Sequence, residues 1–286
     1  MSELTKLSLF SGILGDDSAS EWAGIKTICC VEIDKFCQAV IKKHYPDMPI
    51  IGDIHDVTKA KLKEVSGYEY IDIVAGGDPC QPRSIAGKRR GREDDRDLWP
   101  EMFRVICEFK PAWVVNENPT GRLTMDFHEV LSDLESQGYE TRSFVIPACA
   151  VNAWHRRDRL FIVAHSNNRH KANAKKAVCT GWSIADLYTS SNPNESRYQS
   201  QFRKVRRMGR SVDAPKNEGI PNVYHGRTYW EAEPELGRVV YGLSPKLDKL
   251  RCLRLDHLGN SCVPQQVYPI YKAIVEVERQ LELCQS

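Results

Sequence analysis

Apolar positions along the first 165 residues fall into two alternating rhythms. Short runs rich in Ile, Val, Leu and Phe, the signature of strands, occur at 6–10, 26–33, 49–53, 70–75, 112–116, 139–146 and 159–164. Between them, helical spacing marks 18–23, 35–44, 98–109 and 127–137. The 98–109 segment reads as amphipathic, with Phe103, Ile106 and Cys107 on one face. Strands alternating with helices at this spacing predict an α/β fold with a doubly wound, mostly parallel sheet over residues 1–165. The rhythm stops after His165. Residues 166–238 are rich in Asn, Ser, Lys and Arg with little periodicity, which predicts a small irregular lobe. Residues 239–286 end in a helical pattern at 263–283 that begins with Pro264 and is expected to pack back on the first domain.

Composition changes this picture in three ways. Hydrophobic residues are 41% of the 286, enough to bury a core. The formal charge of +2 does not mark the chain as a nucleic-acid binder, so local clusters must carry that argument. The 10 Cys are scattered and none forms a Cys-x-x-Cys pair, so zinc-finger spacing is absent and no metal is expected. No apolar run approaches the roughly 18 residues of a membrane span, and the first residues lack a signal-peptide pattern. The expectation is a cytoplasmic monomer with reduced thiols.

Candidate chemistry clusters at the ends of the strands. The first run closes in Phe10-Ser11-Gly12-Ile13-Leu14-Gly15, a glycine turn between strand and helix of the kind that lets a cofactor approach the backbone. Glu32 lies twenty positions after Gly12 at the end of the second strand, and Asp53 closes the third. Acids there suit ribose hydroxyls, although an ordinary turn with two surface acids gives the same letters. The fourth strand runs into Gly76-Gly77-Asp78-Pro79-Cys80-Gln81-Pro82, a cysteine held between prolines at the same edge. A basic loop follows, with Lys88, Arg89, Arg90, Arg92 and Arg96, able to close over an anionic polymer or to depress a thiol pKa. The fifth strand ends in Glu117-Asn118, where the carboxyl is placed for acid chemistry or for holding a base by its polar edge. Arg157 and Arg159 alternate ahead of the last strand, so they are expected to share one face.

The ordered set Phe10-Ser11-Gly12, Glu32, Asp53, Pro79-Cys80-Gln81, Glu117-Asn118, Arg157-x-Arg159 and Gly259-Asn260-Ser261-x-Val263-Pro264 resembles the bacterial and phage DNA (cytosine-5)-methyltransferases. The resemblance covers nearly the whole chain outside 166–238, and residues 248–264 look most like the compact phage and prophage members. It implies a Rossmann-like, S-adenosylmethionine-dependent domain with a target-recognition lobe, acting on double-stranded DNA. Cys80 would then be the nucleophile that adds to carbon 6 of a flipped-out cytosine. Glu117 would hold and protonate N3, and Arg159 would contact O2 with Arg157 in support. Phe10, Gly12, Gly15, Glu32, Ile33, Asp53, Pro79, Leu98 and Asn260 would line the cofactor pocket. Ser84, Lys88, Arg89, Arg90 and Arg92 would meet DNA from the basic loop, and Arg203, Lys204, Arg206, Arg207 and Arg210 from the lobe.

Several positions depart from that family's pattern. Leu14 stands at a glycine position, and Asp16 and Ser18 stand where apolar residues are usual. Asp78 precedes Pro79, Arg83 replaces a frequent Phe, Pro119 follows Glu117-Asn118, and His155 replaces a usual Gln. Leu14 leaves two outcomes open: Gly15 takes the strained backbone position, or Leu14 keeps it at the expense of cofactor binding, the outcome expected here. Three other readings stay open: a relative that binds DNA or cofactor without turnover, an RNA cytosine methyltransferase of similar fold, and a nucleotide-dependent oxidoreductase. The last explains the glycine turn but not Pro79-Cys80-Gln81.

Overall fold

The computed structural model describes residues 3–79, 97–166 and 257–285. Cys80, the basic loop, the expected lobe from 167 to 238 and residues 239–256 lie outside the described residues.

Seven strands form one sheet in the order β3-β2-β1-β4-β5-β7-β6. They are β1 (Thr5–Leu9), β2 (Lys26–Val31), β3 (Ile50–Ile51), β4 (Ile73–Gly76), β5 (Trp113–Pro119), β6 (Tyr139–Pro147) and β7 (Asp158–Ser166). β7 runs antiparallel between β5 and β6, and the other pairs are parallel. All seven expected strands are present. The described helices are α1 (Gly15–Trp22), α2 (Lys35–His44), α3 (Lys59–Ser66), α4 (Trp99–Phe109), α5 (Phe127–Ser136) and α6 (Pro264–Gln285). Chain order runs outward from β1 through β2 to β3 on one side and from β4 to β5 on the other, where β7 inserts inside β6, so the winding reverses between β1 and β4. A crevice at the carboxyl ends of the strands is the place such sheets bind ligands.

Strand alternation divides the core between two faces. Val74, Val114, Leu160 and Ile162 pack with Leu62 of α3, Met102 and Ile106 of α4, and Val130 and Leu134 of α5. Ile73, Ala75, Val115, Phe161 and Val163 pack with Ala19 of α1 and with Val267, Ile270 and Tyr271 of α6. The buried stripe of α4 differs from the expected one. Trp99, Met102, Val105, Ile106 and Phe109 are buried, while Phe103 and Cys107 are only half-buried. Packing against two neighbours, α5 and the turn at Ile54–Asp56, widens the apolar face toward Met102 and Val105.

The second face has a polar centre. Lys6, fully buried in β1, lies 2.7 Å from Asp16 and 2.9 Å from Asp17, both of α1. Ser8 and Thr27 each donate to Asp17 at 2.9 Å, and the Tyr271 hydroxyl donates to Asp16 at 2.7 Å. Burial alone would lower the Lys6 pKa, but the two carboxylates hold it above its ordinary value. Asp16 is thus no isolated departure. It neutralises a buried lysine and fastens α6 to α1.

Candidate active site

The candidate cofactor edge lies where β1, β2 and β3 end. Phe10 and Gly12 have left-handed backbones, with φ 52° and 54°. The Gly12 amide donates to Glu32 Oε2 at 2.7 Å, and the Asp34 amide donates to Glu32 Oε1 at 2.8 Å. Two backbone donors therefore hold a buried carboxylate still at the mouth of the turn. Ile33 beside it is 70% exposed, an apolar surface at a strand end. Asp53 caps the short turn at Ile54–Asp56, accepting from the His55 amide at 3.0 Å and pairing with the His55 ring at 2.6 Å. Those hydrogen bonds lower the Asp53 pKa and keep the carboxylate ionised. A fixed acid, an open glycine turn and an exposed aliphatic side chain fit a nucleoside with two hydroxyls and a flat ring. Leu98, partly buried, caps the start of α4, and Pro79 and Asn260 are exposed.

Leu14, not Gly15, keeps the strained position. Its φ is 71°, and it caps the N-terminus of α1. Its side chain is buried with Cys30 and Ile41, against Tyr45, Met48 and Ile50. Gly15 serves a different end. A Cβ there would sit 2.2 Å from the Cys262 carbonyl and 2.6 Å from Ser261 Oγ, so only glycine lets the segment before α6 cross the start of α1.

The second cluster gathers at the ends of β4, β5 and β7. Glu117 Oε1 lies 2.7 Å from Arg159 Nε, and each side chain keeps 15% exposure. Burial pushes the Glu117 carboxyl up to about 7, with Arg159 and Arg157 opposing the shift. Gly77 stands against this acid, since a Cβ there would come within 3.0 Å of Glu117 Oε2 and 2.8 Å of its carbonyl. Gly76 is equally obligatory beside Leu9, whose carbonyl would lie 2.4 Å from a Cβ. Gly77 thus lets the chain leading to Cys80 pass directly over Glu117.

Arg157 departs from the expected strand alternation. It precedes β7 with φ 34°, and its Nη2 donates to the carbonyls of Gly259 and Ser261, each at 2.6 Å. Its positive charge still bears on Glu117. Among the described residues, buried Arg157 Nε has no hydrogen-bond partner.

Sequence reasoning missed the support beneath this cluster. Asp78 is buried and accepts from Arg122 Nη1 at 2.6 Å, Asn116 Nδ2 at 2.7 Å and Asn118 Nδ2 at 3.0 Å. Arg122, fully buried from the turn at Thr120–Thr124, also donates to Asp126 at 2.9 Å and lies over the Trp99 ring. The departure at Asp78 therefore has its own counter-charge. The only signal was an isolated Arg soon after Glu117-Asn118.

A mostly parallel sheet in this order, with its ligand edge at the β1–β4 reversal, defines a Rossmann-like α/β fold of the S-adenosylmethionine-dependent methyltransferase type. The same fold is seen in the Dnmt2 methyltransferase of S. pombe, with a TM-score of 0.51 and 21% identity over 68% of this chain and 58% of that one. A family model for C-5 cytosine-specific DNA methylase matches residues 4–241, and the chain belongs to that family. Type II methyltransferase M.NgoMIV of Neisseria gonorrhoeae is 29% identical over 66% of this chain and 62% of its own length. Type II methyltransferase M.AquIA of Picosynechococcus sp. is 33% identical over 56% of this chain and 71% of its own. The chain thus spans somewhat under two thirds of the Neisseria relative.

Proposed function

We propose that the protein transfers a methyl group from S-adenosylmethionine to carbon 5 of cytosine in double-stranded DNA, as a modification methyltransferase with Cys80 as nucleophile. The observation that carries this reading is the buried Glu117 carboxyl, raised to about 7 and paired with Arg159, at the point where Gly77 leads toward Cys80. A carboxyl half-protonated near neutrality can donate to a ring nitrogen and remain a carboxylate afterwards. Arg159 beside it is a donor for the base's O2, and the buried Arg157 Nε, which has no hydrogen-bond partner among the described residues, is a polar atom suited to a base edge. The Cys80 thiolate forms a bond to carbon 6 and makes carbon 5 electron-rich. The bound cofactor supplies the methyl group. Loss of the carbon 5 proton and expulsion of the thiolate then restore the aromatic base.

Glu32, Asp53 and Ile33 line the cofactor's nucleoside, with Phe10, Gly12, Gly15, Pro79, Leu98 and Asn260 around it. Ser84, Lys88, Arg89, Arg90 and Arg92 meet phosphates, and the 166–238 lobe, with Arg203, Lys204, Arg206 and Arg207, reads the sequence. Among the described residues no helix is long and apolar enough to cross a membrane. Bisulfite sequencing of plasmid DNA from cells expressing the protein tests the reading. Protected cytosines within one recurring sequence are expected, and uniformly converted plasmid in cells containing folded protein would overturn it.

A further inference from the structure

A second constellation of chemistry-bearing side chains lies outside the site described above. Asp34, Cys37 and His257 offer donor atoms that all lie within 4.8 Å of one another. Asp34 caps α2 through Oδ1, which accepts from the Cys37 amide at 2.9 Å. The buried Cys37 thiol, one turn on, lies 3.4 Å from His257 Nδ1. The His257 ring stacks on Phe36, with centroids 4.8 Å apart and planes 12° from parallel, so the imidazole is held in register with the helix start. Its Nε2 lies 3.8 Å from Asp34 Oδ1.

We infer that Asp34, Cys37 and His257 form a three-ligand site for a zinc-class divalent cation, tying the segment before α6 to the start of α2. Thiolate, imidazole and carboxylate are the donors such ions prefer, and three protein ligands leave one tetrahedral position for water. Zn–S and Zn–N bonds of about 2.3 and 2.0–2.1 Å set two donors on one tetrahedral ion roughly 3.5 Å apart, the separation that Cys37 and His257 already have. Asp34 can cap the helix with one oxygen and ligate with the other. Burial, with the Glu32 and Asp34 carboxylates adding to it, pushes the Cys37 thiol up to about 12, and a cation between these groups reverses that balance. The Asp34 amide also donates to Glu32, so an ion here would stiffen the cofactor edge without touching the methylation chemistry. Sequence spacing hides the site because Cys37 and His257 are 220 positions apart.

The test uses full-length protein stripped with a chelator and titrated with Co2+, then with Zn2+. The site predicts one equivalent of Co2+ with a thiolate-to-cobalt charge-transfer band, displaced by Zn2+, and a melting temperature that rises with added Zn2+. Cys37→Ser should lose the band, and His257→Gln and Asp34→Asn, which retains a helix cap, should each weaken binding by at least about tenfold. Circular dichroism reports whether each variant is folded, and if Cys37→Ser is not, the folded His257→Gln variant carries the comparison. No stoichiometric binding by folded wild type would mean that Cys37 and His257 share only a hydrogen bond. Unchanged affinity in folded His257→Gln would place the ion on other residues. Either result overturns the inference.

Discussion

Replacing Leu14 separates two opposed effects that the structure assigns to one residue. Its φ of 71° is a conformation that costs an ordinary side chain about 1–2 kcal/mol. Its side chain is only 4% exposed among Cys30, Ile41 and Ile50. Removing a buried leucine side chain costs about 2–5 kcal/mol, cavity included. Leu14→Ala loses the packing and keeps the strain. Leu14→Gly loses the packing and relieves the strain, so it should cost roughly 1–4 kcal/mol and be about 1 kcal/mol more stable than Leu14→Ala. That order reverses the usual one, in which glycine is the less stable. Urea unfolding of the three proteins, compared at their midpoints, measures it. Because the side chain points into the core, calorimetric titration with S-adenosylhomocysteine should show no tightening in Leu14→Gly. Ala at least as stable as Gly would refute the left-handed backbone. Both variants within about 0.5 kcal/mol of wild type would refute the burial.

Other consequences follow from the charge networks. Arg122→Met leaves Asp78 buried without its counter-charge and should cost about 3–5 kcal/mol in urea, part of it recovered in the double variant with Asp78→Asn. Glu117 binds more protons folded than unfolded between pH 4.5 and about 7, so its contribution makes stability fall as pH rises through that window, by up to about 1.4 kcal/mol per unit. Unfolding free energies measured across the window should lose this component in Glu117→Gln. Arg157→Ala removes two short bonds to the Gly259 and Ser261 carbonyls, and hydrogen exchange at 259–263 should accelerate well before the sheet's does.

The sheet was legible because its strands are short apolar runs closed by Gly, Asp or Glu, and because alternation with helices leaves few topologies. α3 was not anticipated, since Lys59–Ser66 buries only Leu62 and shows almost no apolar stripe. The cofactor-edge candidates Glu32 and Asp53 could be named from their places after strands. What each holds could not, because the Gly12 and Asp34 amides are set by turn geometry. Lys6 with Asp16 and Asp17, and Asp78 with Arg122, were invisible for another reason. Each charge reads alone as a surface residue or a misfit, and only the packed fold brings the counter-charge to it. Leu14 shows the same lesson within a single turn, where the replaced glycine gave no sign that the new side chain joins the core.

Covalent trapping tests the central claim most directly. DNA carrying 5-fluorocytosine blocks turnover after methyl transfer, because the base cannot shed fluorine in place of the carbon 5 proton. Incubated with S-adenosylmethionine and a fluorinated target, wild-type protein should run as a denaturation-resistant protein–DNA adduct, and folded Cys80→Ala should give none. An adduct of equal yield from Cys80→Ala, or none from wild-type protein that methylates the unfluorinated site, would contradict the assignment of Cys80 as the nucleophile.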